Sequence, residues 1–598
     1  MKLKRTFISV VALMLAVCLM PTALAATWYL EDGDITVIAN ENGQSVKQGS
    51  NSAVADSDTV ITQRDSEKAT DKTITVSTTD DATANITIED VNINSYGDAI
   101  DVGSSGANIT LEGDNKLNSE YGSGLHVSDG DVTITGSGSL EAGSKNDSNN
   151  NAAIGSHENE AMSGDITIGG DAQVTAVSRD DGAGIGSGDM GEMSGDITIG
   201  DNAQVTAWSE TGGAGIGSGR ESNMSGNITI GGSAQVTAGS NSETAGIGSG
   251  NNGVFTSTGR VVIRDSAKVT AIGENEGAGI GTGEDELMAG MIIIQDNAQV
   301  TAIAGDRAAA IGSDNRNEMT GTIIIIGNAR VTTGILDDDD VYFDYNTKEI
   351  KYTLDENAIG YIGDSKYSNH ESDEGHYIIG PDVTINGISG SDIEALKDYI
   401  NMRLSGENHN GEPENLTKLD VRSENGEFTV TAEGEGAVEK ILYGGSENVP
   451  TAPGTYPVTC VVRIGEETIE FQIGTYVVPE PAPQPEPMAH HERIQLYRVA
   501  DKQGRSIAYK AVQKGGVLTI TTDEKEAKLI IERGGLFALS RQGITKIVFV
   551  TASKKSAISV SAAMEKGSGE FVLLHSYRKV KLTIAGAAVD ADGILIKE

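Results

Sequence analysis

Short runs of carboxylates are the residues in this sequence best suited to chemistry. Asp180 and Asp181 are adjacent, residues 284–286 are all acidic, and residues 337–340 are four consecutive aspartates. Because Ca²⁺ prefers oxygen ligands, such runs predict calcium sites, and a run that only faces solvent is the alternative. The candidate metal ligands are Asp180, Asp181, Glu284, Asp285, Asp337, Asp338 and Asp339.

Aromatic side chains on the surface form the second group of candidates, because an aromatic face can pack against the apolar face of a sugar ring. Trp208 lies at the outward-leaning end of a predicted strand, and six tyrosines fall within residues 342–377. Packing at the end of the fold is the alternative role for these tyrosines. The candidate carbohydrate contacts are Trp208, Tyr342, Tyr345, Tyr361 and Tyr367.

The residue pattern gives little support for catalysis. A polysaccharide lyase needs a cationic base, and a glycosidase needs two carboxyl groups held at a set separation. Basic residues are few between residues 153 and 331, and His126 and His157 are isolated in the sequence, without a His-x-His pair. We therefore predict no catalytic residue and a protein that is not an enzyme.

The N-terminal residues indicate export. Residues 1–25 combine a basic start, an apolar run and the small-x-small sequence Ala23-Leu24-Ala25, which is typical of a signal peptide. Cys460 is then the single cysteine of the mature chain, so no disulfide can form within that chain. We expect a secreted, extracellular protein that associates with the cell wall, has no membrane span in its mature chain and does not bind nucleic acid.

Internal repeats predict the fold that must position these residues. The sequence Gly-Ile-Gly-Ser and its variants recur at spacings of 31, 31, 31, 33 and 31 residues, starting at Ile154. Columns centred on Ile166 and Val174 recur with it, and a 23-residue spacing extends the pattern back to Ile86. Each unit thus offers three short strands with period-2 alternation. The chain is predicted to be all-β, with a right-handed, three-faced parallel β-helix followed by β-sandwich-like domains.

The rest of the chain divides around this solenoid. Capping-box spacing from Ser391 predicts a connector helix to about Leu404, and the stretch after Val331 is predicted to close the solenoid. Five methionines, beginning with Met162, are predicted to form a satellite core under a loop. The predicted segments are a signal peptide (1–25), N-terminal cap strands (26–85), the β-helix with 23- and then 31-residue coils (86–387), a helical connector (388–412), a small β-sandwich (413–478), a proline-rich linker (479–489) and a C-terminal β domain (490–598).

Charge is unevenly distributed along the chain. The net charge is −43 at pH 7, whereas residues 490–598 contain 18 Lys and Arg against 11 Asp and Glu. Regions of opposite charge attract different partners. We expect the basic C-terminal domain to dock on an anionic cell envelope while the acidic solenoid faces outward.

The segments DAIDV (98–102), GLHV (124–127) and DVTITG (131–136) lie within the region from about Ile86 to Val331. These segments carry a resemblance of that region to the secreted clostridial carbohydrate-binding β-helix family, whose fold is similar to that of pectate lyases. It implies adhesion to plant-type polysaccharide with bound calcium, without a demonstrated need for catalysis. The segment PGTYPVT in the predicted sandwich resembles a strand of bacterial immunoglobulin-like surface modules and implies that fold there.

Together these features predict a secreted or cell-surface, non-catalytic carbohydrate-binding or adhesion protein that recognises polysaccharide through the β-helix. A polysaccharide lyase or glycosidase of the same fold is one alternative, and a structural spacer is another. An ice-binding face built from outward threonine columns is a further alternative, although threonine is favoured in strands generally. Calcium is the expected cofactor.

Overall fold

The computed structural model describes residues 26–79, 82–144, 146, 149–284, 287–313, 319–355, 358, 360–363, 375–400, 415–424, 427–465, 467–479, 496–531, 535–566, 570–577, 579–589 and 594–596. The chain divides into two compact units, with the boundary between Glu480 and Pro481.

Three long sheets in the first unit form a parallel β-helix, which confirms the predicted fold class. Each coil gives one strand to each sheet, and consecutive coils pair in parallel. Sheet 1 contains Thr27–Tyr29, Thr59–Thr62, Thr83–Glu89, Gly106–Glu112, Val132–Gly136, Ile166–Ile168, Ile197–Ile199, Asn227–Ile230, Arg260–Ile263, Met291–Ile294, Thr322–Ile325, His376–Ile379, Leu416–Glu424 and Glu427–Gly434. Sheet 2 contains Asn92–Ser95, Asp114–Ser119, Ser139–Ser144, Gln173–Ser178, Gln204–Ser209, Gln235–Ser240, Lys268–Ile272, Gln299–Ala304, Arg330–Asp344, Glu349–Leu354, Thr384–Ile385 and Ile388–Ser389. Sheet 3 contains Ile35–Asn40, Gly43–Gln48, Val54–Ala55, Ile74–Thr78, Ile100–Gly103, Leu125–Val127, Ile154–Gly155, Ile185–Gly186, Ile216–Gly217, Ile247–Gly248, Ile280–Gly281, Ile311–Gly312 and Ile362–Gly363.

In-register stacking builds the core from columns of like residues. Ile166 pairs with Ile197 and Ile197 pairs with Ile228, and all three side chains are fully buried. Glycine follows the isoleucine of sheet 3 because the chain turns there with φ near +142°, as at Gly186. A Cβ on Gly186 would lie 1.7 Å from the carbonyl oxygen of Gly217 in the next coil, so no other residue fits.

The methionine column belongs to the main core. Met162, Met193 and Met224 pair in successive coils, and Phe255 takes the equivalent place in the 33-residue coil before Met288 and Met319 continue the column. All of these side chains are fully buried and lie in the same apolar cluster as the isoleucine columns. The predicted satellite core is therefore a fourth column of the β-helix itself.

The β-helix begins earlier than predicted. Thr27–Tyr29 pairs in parallel with Thr59–Thr62, and Ile35–Asn40 pairs in parallel with Ile74–Thr78. Residues 26–85 therefore contribute coils, and only the antiparallel strands Gly43–Gln48 and Val54–Ala55 add an edge cap. A single 3₁₀ turn, Leu30–Asp32, follows the first strand.

The stretch after Val331 covers a side of the solenoid instead of closing its end. Arg330–Asp344 and Glu349–Leu354 form an antiparallel hairpin, called the hairpin below. The hairpin runs back over the outer face of sheet 2, where Val341, Phe343 and Ile350 pack against earlier coils.

A second cover lies on sheet 1. Gly436–Tyr443, Gly454–Ile464 and Glu467–Val478 form a three-stranded antiparallel sheet, called the cover sheet below. Its buried residues, among them Val458 and Phe471, pack on Ile293 and Ile324 of sheet 1. Residues 413–478, predicted as a sandwich of their own, thus belong to the compact unit of the β-helix.

Helices are few in the described residues. Ile393–Leu396 is a single turn capped by Asp392, which accepts a hydrogen bond from the Ala395 amide at 3.2 Å, so the predicted helix is shorter and starts one residue later than its capping box suggested. Residues 401–414 lie outside the described part. No helix in the described part of the chain is both long and apolar enough to cross a membrane.

The C-terminal unit has its own apolar core. One sheet contains Tyr497–Ala500, Ala527–Ile531, Phe571–His575, Val580–Ile584 and Ala587–Ala588, and a second contains Lys510–Lys514, Val517–Thr521, Lys546–Val550, Lys555–Ser559 and Leu595–Ile596. Helices Gly535–Arg541 and Val560–Glu565 accompany them. The predicted β domain is therefore found, with two helices that the sequence reading did not include.

Candidate functional site

Trp208 is not available for sugar stacking in this structure. It points outward from sheet 2, as predicted, but the hairpin covers it and leaves it 1% exposed. Gly239 in the next coil makes room for it, since a Cβ there would lie 3.0 Å from the indole ring. Trp208 therefore anchors the hairpin.

The predicted tyrosines lie in different environments. Tyr342 is 52% exposed on the hairpin. Tyr345, at the hairpin turn, packs under the Arg179 guanidinium at 4.6 Å and donates a hydrogen bond to Glu210. Tyr361 is half-buried, and Tyr367 lies outside the described residues. The structure does not gather the described side chains among them into one surface.

The acidic candidates that the structure describes lie in different parts of the first unit. Asp181 accepts hydrogen bonds from Thr211 and the Gly212 amide, and it pairs with Arg220 at 2.9 Å. Burial and the charge of Asp181 raise the pKa of Asp180. Arg220 also pairs with Asp189 and Glu221, so a single guanidinium is shared by several carboxylates at this loop. Of the other candidates, Glu284 is half-buried, Asp337 is exposed, and Asp285 and the side chains of Asp338 and Asp339 lie outside the described residues.

The structure brings together two histidines that the sequence reading treated as isolated. The rings of His126 and His157 stack with centroids 3.8 Å apart and an interplanar angle of 4°. His126 lies on Leu125–Val127 of sheet 3, opposite Asp101 in the preceding coil, and His157 follows Ile154–Gly155 in the next coil. Three successive coils therefore meet at one corner of the β-helix.

Carboxylates lie on both sides of the stacked rings. On one side, Asp98 contacts His157 Nε2 at 2.8 Å and His126 Nδ1 at 3.9 Å, and Asp101 contacts His126 Nδ1 at 2.9 Å. On the other side, Glu160 contacts His126 Nε2 at 2.8 Å and His157 Nδ1 at 3.6 Å. We call these five residues the histidine cluster.

The electrostatics of the histidine cluster favour cations. Burial opposes the charged form of His126, but its hydrogen bonds to Asp101 and Glu160 and the charge of Asp98 outweigh that cost and raise its pKa to about 9. Asp98 is also desolvated, yet the hydrogen bond from His157 holds its pKa below the usual range. A cationic His126 cannot act as a general base at neutral pH.

An exposed tyrosine pair lies at the same corner. Tyr96 and Tyr121 are 73% and 53% exposed, and their ring centroids are 4.7 Å apart. They follow Asn92–Ser95 and Asp114–Ser119 of sheet 2, and the Tyr121 amide donates to the Tyr96 carbonyl at 3.0 Å. Each tyrosine thus comes from one coil.

A polar groove of about 680 Å³ begins on the strand that leads to Tyr96. Asn94, two residues before Tyr96, lines this groove together with Arg64 and Lys68. The amide oxygen of Asn94 is buried and has no hydrogen-bond partner among the described residues. The groove therefore offers polar side chains and charges of both signs, two residues along the chain from Tyr96, while the Asn94 oxygen itself is closed to solvent.

No protein-family model matches this sequence, and neither the curated proteins nor the solved structures contain a match. The resemblance to the clostridial family therefore remains a prediction. The proposed function therefore rests on the corner that holds the histidine cluster and the tyrosine pair.

The repeat pattern in the sequence already indicated that the residues of this corner lie together. Asp98 precedes Ile100 by two residues, His126 follows Leu125 by one, and His157 follows Ile154 by three. Because Ile100, Leu125 and Ile154 stack in one column of sheet 3, their neighbours must meet. Aligning residues by coil instead of by sequence spacing would have grouped the histidine cluster.

Proposed function

We propose that this protein is an exported, non-catalytic polysaccharide-binding protein that contacts sugar through the corner formed by Tyr96 and Tyr121. The exposed tyrosine pair carries this proposal. Exposed aromatic rings are costly to leave in water, and the face of such a ring attracts the polarised C–H bonds of a sugar. Two rings on adjacent coils offer a surface to a chain of sugars more readily than to a single one.

The adjoining groove supplies the polar half of such a site. Carbohydrate recognition needs hydrogen bonds to hydroxyl groups in addition to apolar stacking. Lys68 lines the groove and can donate, whereas the Arg64 guanidinium already pairs with Asp32. The carboxylate of Asp65 lines the same groove and can accept.

The cationic state of His126 supports binding over catalysis. Both of its ring nitrogens already contact carboxylates, at 2.9 Å and 2.8 Å. A lyase or glycosidase of the same fold remains the alternative, and an assay for unsaturated or reducing-end products tests it.

The C-terminal unit supports attachment to an anionic envelope through its excess of Lys and Arg. This part of the proposal rests on charge, so it predicts release by salt. Retention of residues 496–598 on isolated cell walls at high salt would contradict an electrostatic dock.

The test of sugar binding is a glycan array and a pull-down with insoluble polysaccharides, using the chain from Ala26 onward, with calcium and with chelator. We expect the double variant Tyr96→Ala/Tyr121→Ala to bind at least about tenfold more weakly, since two aromatic contacts contribute about 1 kcal/mol each. Loss in chelator that is restored by Ca²⁺ and not by Zn²⁺ would add a role for calcium.

Tyr342→Ala is the matched control, because Tyr342 is 52% exposed but lies on the hairpin. If Tyr342→Ala abolishes binding and the double variant does not, the site lies on the hairpin instead. If the chain binds no glycan, the proposal is wrong and a spacer is favoured.

A further inference from the structure

The histidine cluster has the composition of a metal site. One ligand atom from each of Asp98, His126 and His157 lies within 4.8 Å of the others. A tetrahedral ion with bonds of about 2.1 Å needs its ligand atoms about 3.4 Å apart. Because the two rings stack with an interplanar angle of 4°, one ring must rotate about its side-chain bonds before both ring nitrogens point at one ion, and Asp101 lies on the same side to complete the site.

A carboxylate also lies on the opposite side of the two histidine rings. Glu160 faces His126 Nε2 and His157 Nδ1, and a carboxylate can only accept hydrogen bonds. It accepts a hydrogen bond from His126 Nε2 at 2.8 Å, which leaves His126 Nδ1 facing Asp101 and Asp98, whereas His157 Nδ1 lies 3.6 Å from Glu160, beyond hydrogen-bond distance. A carboxylate behind a ligating histidine is the usual outer shell of a metal site.

The fold brings these ligands close together before any ion arrives. The side chains of His126 and Asp98 are only 9% and 15% exposed. Asp98 is held by the Ser123 amide, which donates at 2.7 Å. Because each ligand belongs to a different coil of one ladder, the core keeps the three in register.

We propose that Asp98, His126 and His157 bind one divalent transition-metal ion of the Zn²⁺ class, with Asp101 as a fourth ligand and Glu160 as the outer-shell acceptor. Imidazole nitrogen suits Zn²⁺ and its neighbours, whereas Ca²⁺ requires oxygen ligands throughout. This site is distinct from the calcium ligands predicted from the acidic runs.

The experiment is a calorimetric titration of the chain from Ala26 onward with Zn²⁺, after removal of metals by chelator and dialysis. We expect one Zn²⁺ per chain and at least about 100-fold weaker binding of Ca²⁺. Co²⁺ in place of Zn²⁺ is expected to give the visible absorption of a four-coordinate site.

His157→Ala is the decisive variant, since this side chain is 32% exposed and its removal should leave the fold intact. We expect it to weaken Zn²⁺ binding at least about 100-fold and Glu160→Gln to weaken it about 10- to 100-fold. His376→Ala is the matched control, because His376 contacts Glu435 at 3.1 Å in a different coil. A thermal melt of each variant checks folding.

Two results would overturn the inference: a wild-type chain that takes up no Zn²⁺, or a folded His157→Ala chain that binds Zn²⁺ as tightly as wild type. A Ca²⁺ affinity equal to that for Zn²⁺ would overturn the assigned ion class. Because no sugar is present, the outcome is independent of the polysaccharide proposal.

Discussion

The early and late coils of the β-helix share one fold but differ in what covers them. In sheet 1 a single outward column runs from Asn108 through Thr133 and Thr167 to Ile293 and Ile324. Asn108 is exposed and the threonines are half-buried, whereas Ile293 and Ile324 are at most 3% exposed beneath the cover sheet. The change from polar to aliphatic residues marks where the cover begins.

Sheet 2 shows the same contrast. The outward column that contains Gly143 continues through Val177, Trp208 and Ile303, and the last three pack under the hairpin. Outward apolar residues in this solenoid therefore predict that another segment of the same chain covers them. Ligand contacts are better sought where the outward residues are polar and isolated aromatics stay exposed, as at Tyr96 and Tyr121.

Ile324→Asp should produce the largest effect. A carboxylate in this fully buried position has no partner and should destabilise the first unit by about 4 kcal/mol or more, or detach the cover sheet. Thr167→Asp changes the same column in an open coil and should cost less than about 1 kcal/mol. Melting curves and limited proteolysis of residues 416–478 measure the difference, and equal effects would contradict the comparison.

Trp208→Ala should have the second-largest effect. Removal of a fully buried indole should cost about 3–5 kcal/mol and expose the hairpin turn to protease, while glycan binding stays unchanged. Tyr342→Ala, on the exposed side of the hairpin, should alter stability by no more than about 0.5 kcal/mol. A Trp208→Ala chain that loses glycan binding with an intact hairpin would restore Trp208 as a sugar contact.

A pH titration sharpens a related contrast between two buried histidines. Burial, with the charge of Lys554, lowers the pKa of His575 to about 4, whereas carboxylates surround His126. Between pH 6.5 and about 4 the His575 side chain binds a proton in the unfolded chain but not in the folded unit. The C-terminal unit should therefore lose up to about 3 kcal/mol of stability as the pH falls through this window.

Melting of the C-terminal unit against pH measures this loss, with His575→Gln as the comparison. Glutamine can still donate to Ser556, whose hydroxyl lies 2.8 Å from His575 Nε2, but it does not titrate. A wild-type profile with the same acid dependence as the variant would assign the loss to other groups.

Lys348→Ala should have the smallest effect. Its ion pair with Glu141, at 2.6 Å, ties the hairpin turn to an early coil, but the two side chains are 37% and 30% exposed. Such pairs contribute about 0.5 kcal/mol and weaken in salt. A shift in melting temperature as large as that of Trp208→Ala would mean that charge, not apolar packing, holds the hairpin.

The sequence alone determined the β-helix, because a fixed spacing of aliphatic columns can bury its apolar side in only one way. Ile166, Ile197 and Ile228 recur with period-2 neighbours, and stacking then follows from hydrogen bonding between identical strands. The same local rule predicted the β character of the C-terminal unit.

Only the tertiary structure decided what each outward side chain meets. Trp208 has the sequence environment of a surface residue, but a hairpin that starts more than a hundred residues later buries it. Residues 413–478 alternate like an independent sandwich, but their apolar side packs on Ile293 and Ile324. Period-2 alternation of apolar and polar residues indicates that one face of a strand is buried, but it does not indicate which partner buries that face.

Both the sequence and the tertiary structure were needed to identify the histidine cluster. The residue types were visible in the sequence, but His126 and His157 are 31 residues apart and came together only once coils were stacked. Spacing along the chain sets which column a residue joins, and the corner geometry between sheets 2 and 3 then sets which side chains touch. That geometry is a property of the packed core and not of any local segment.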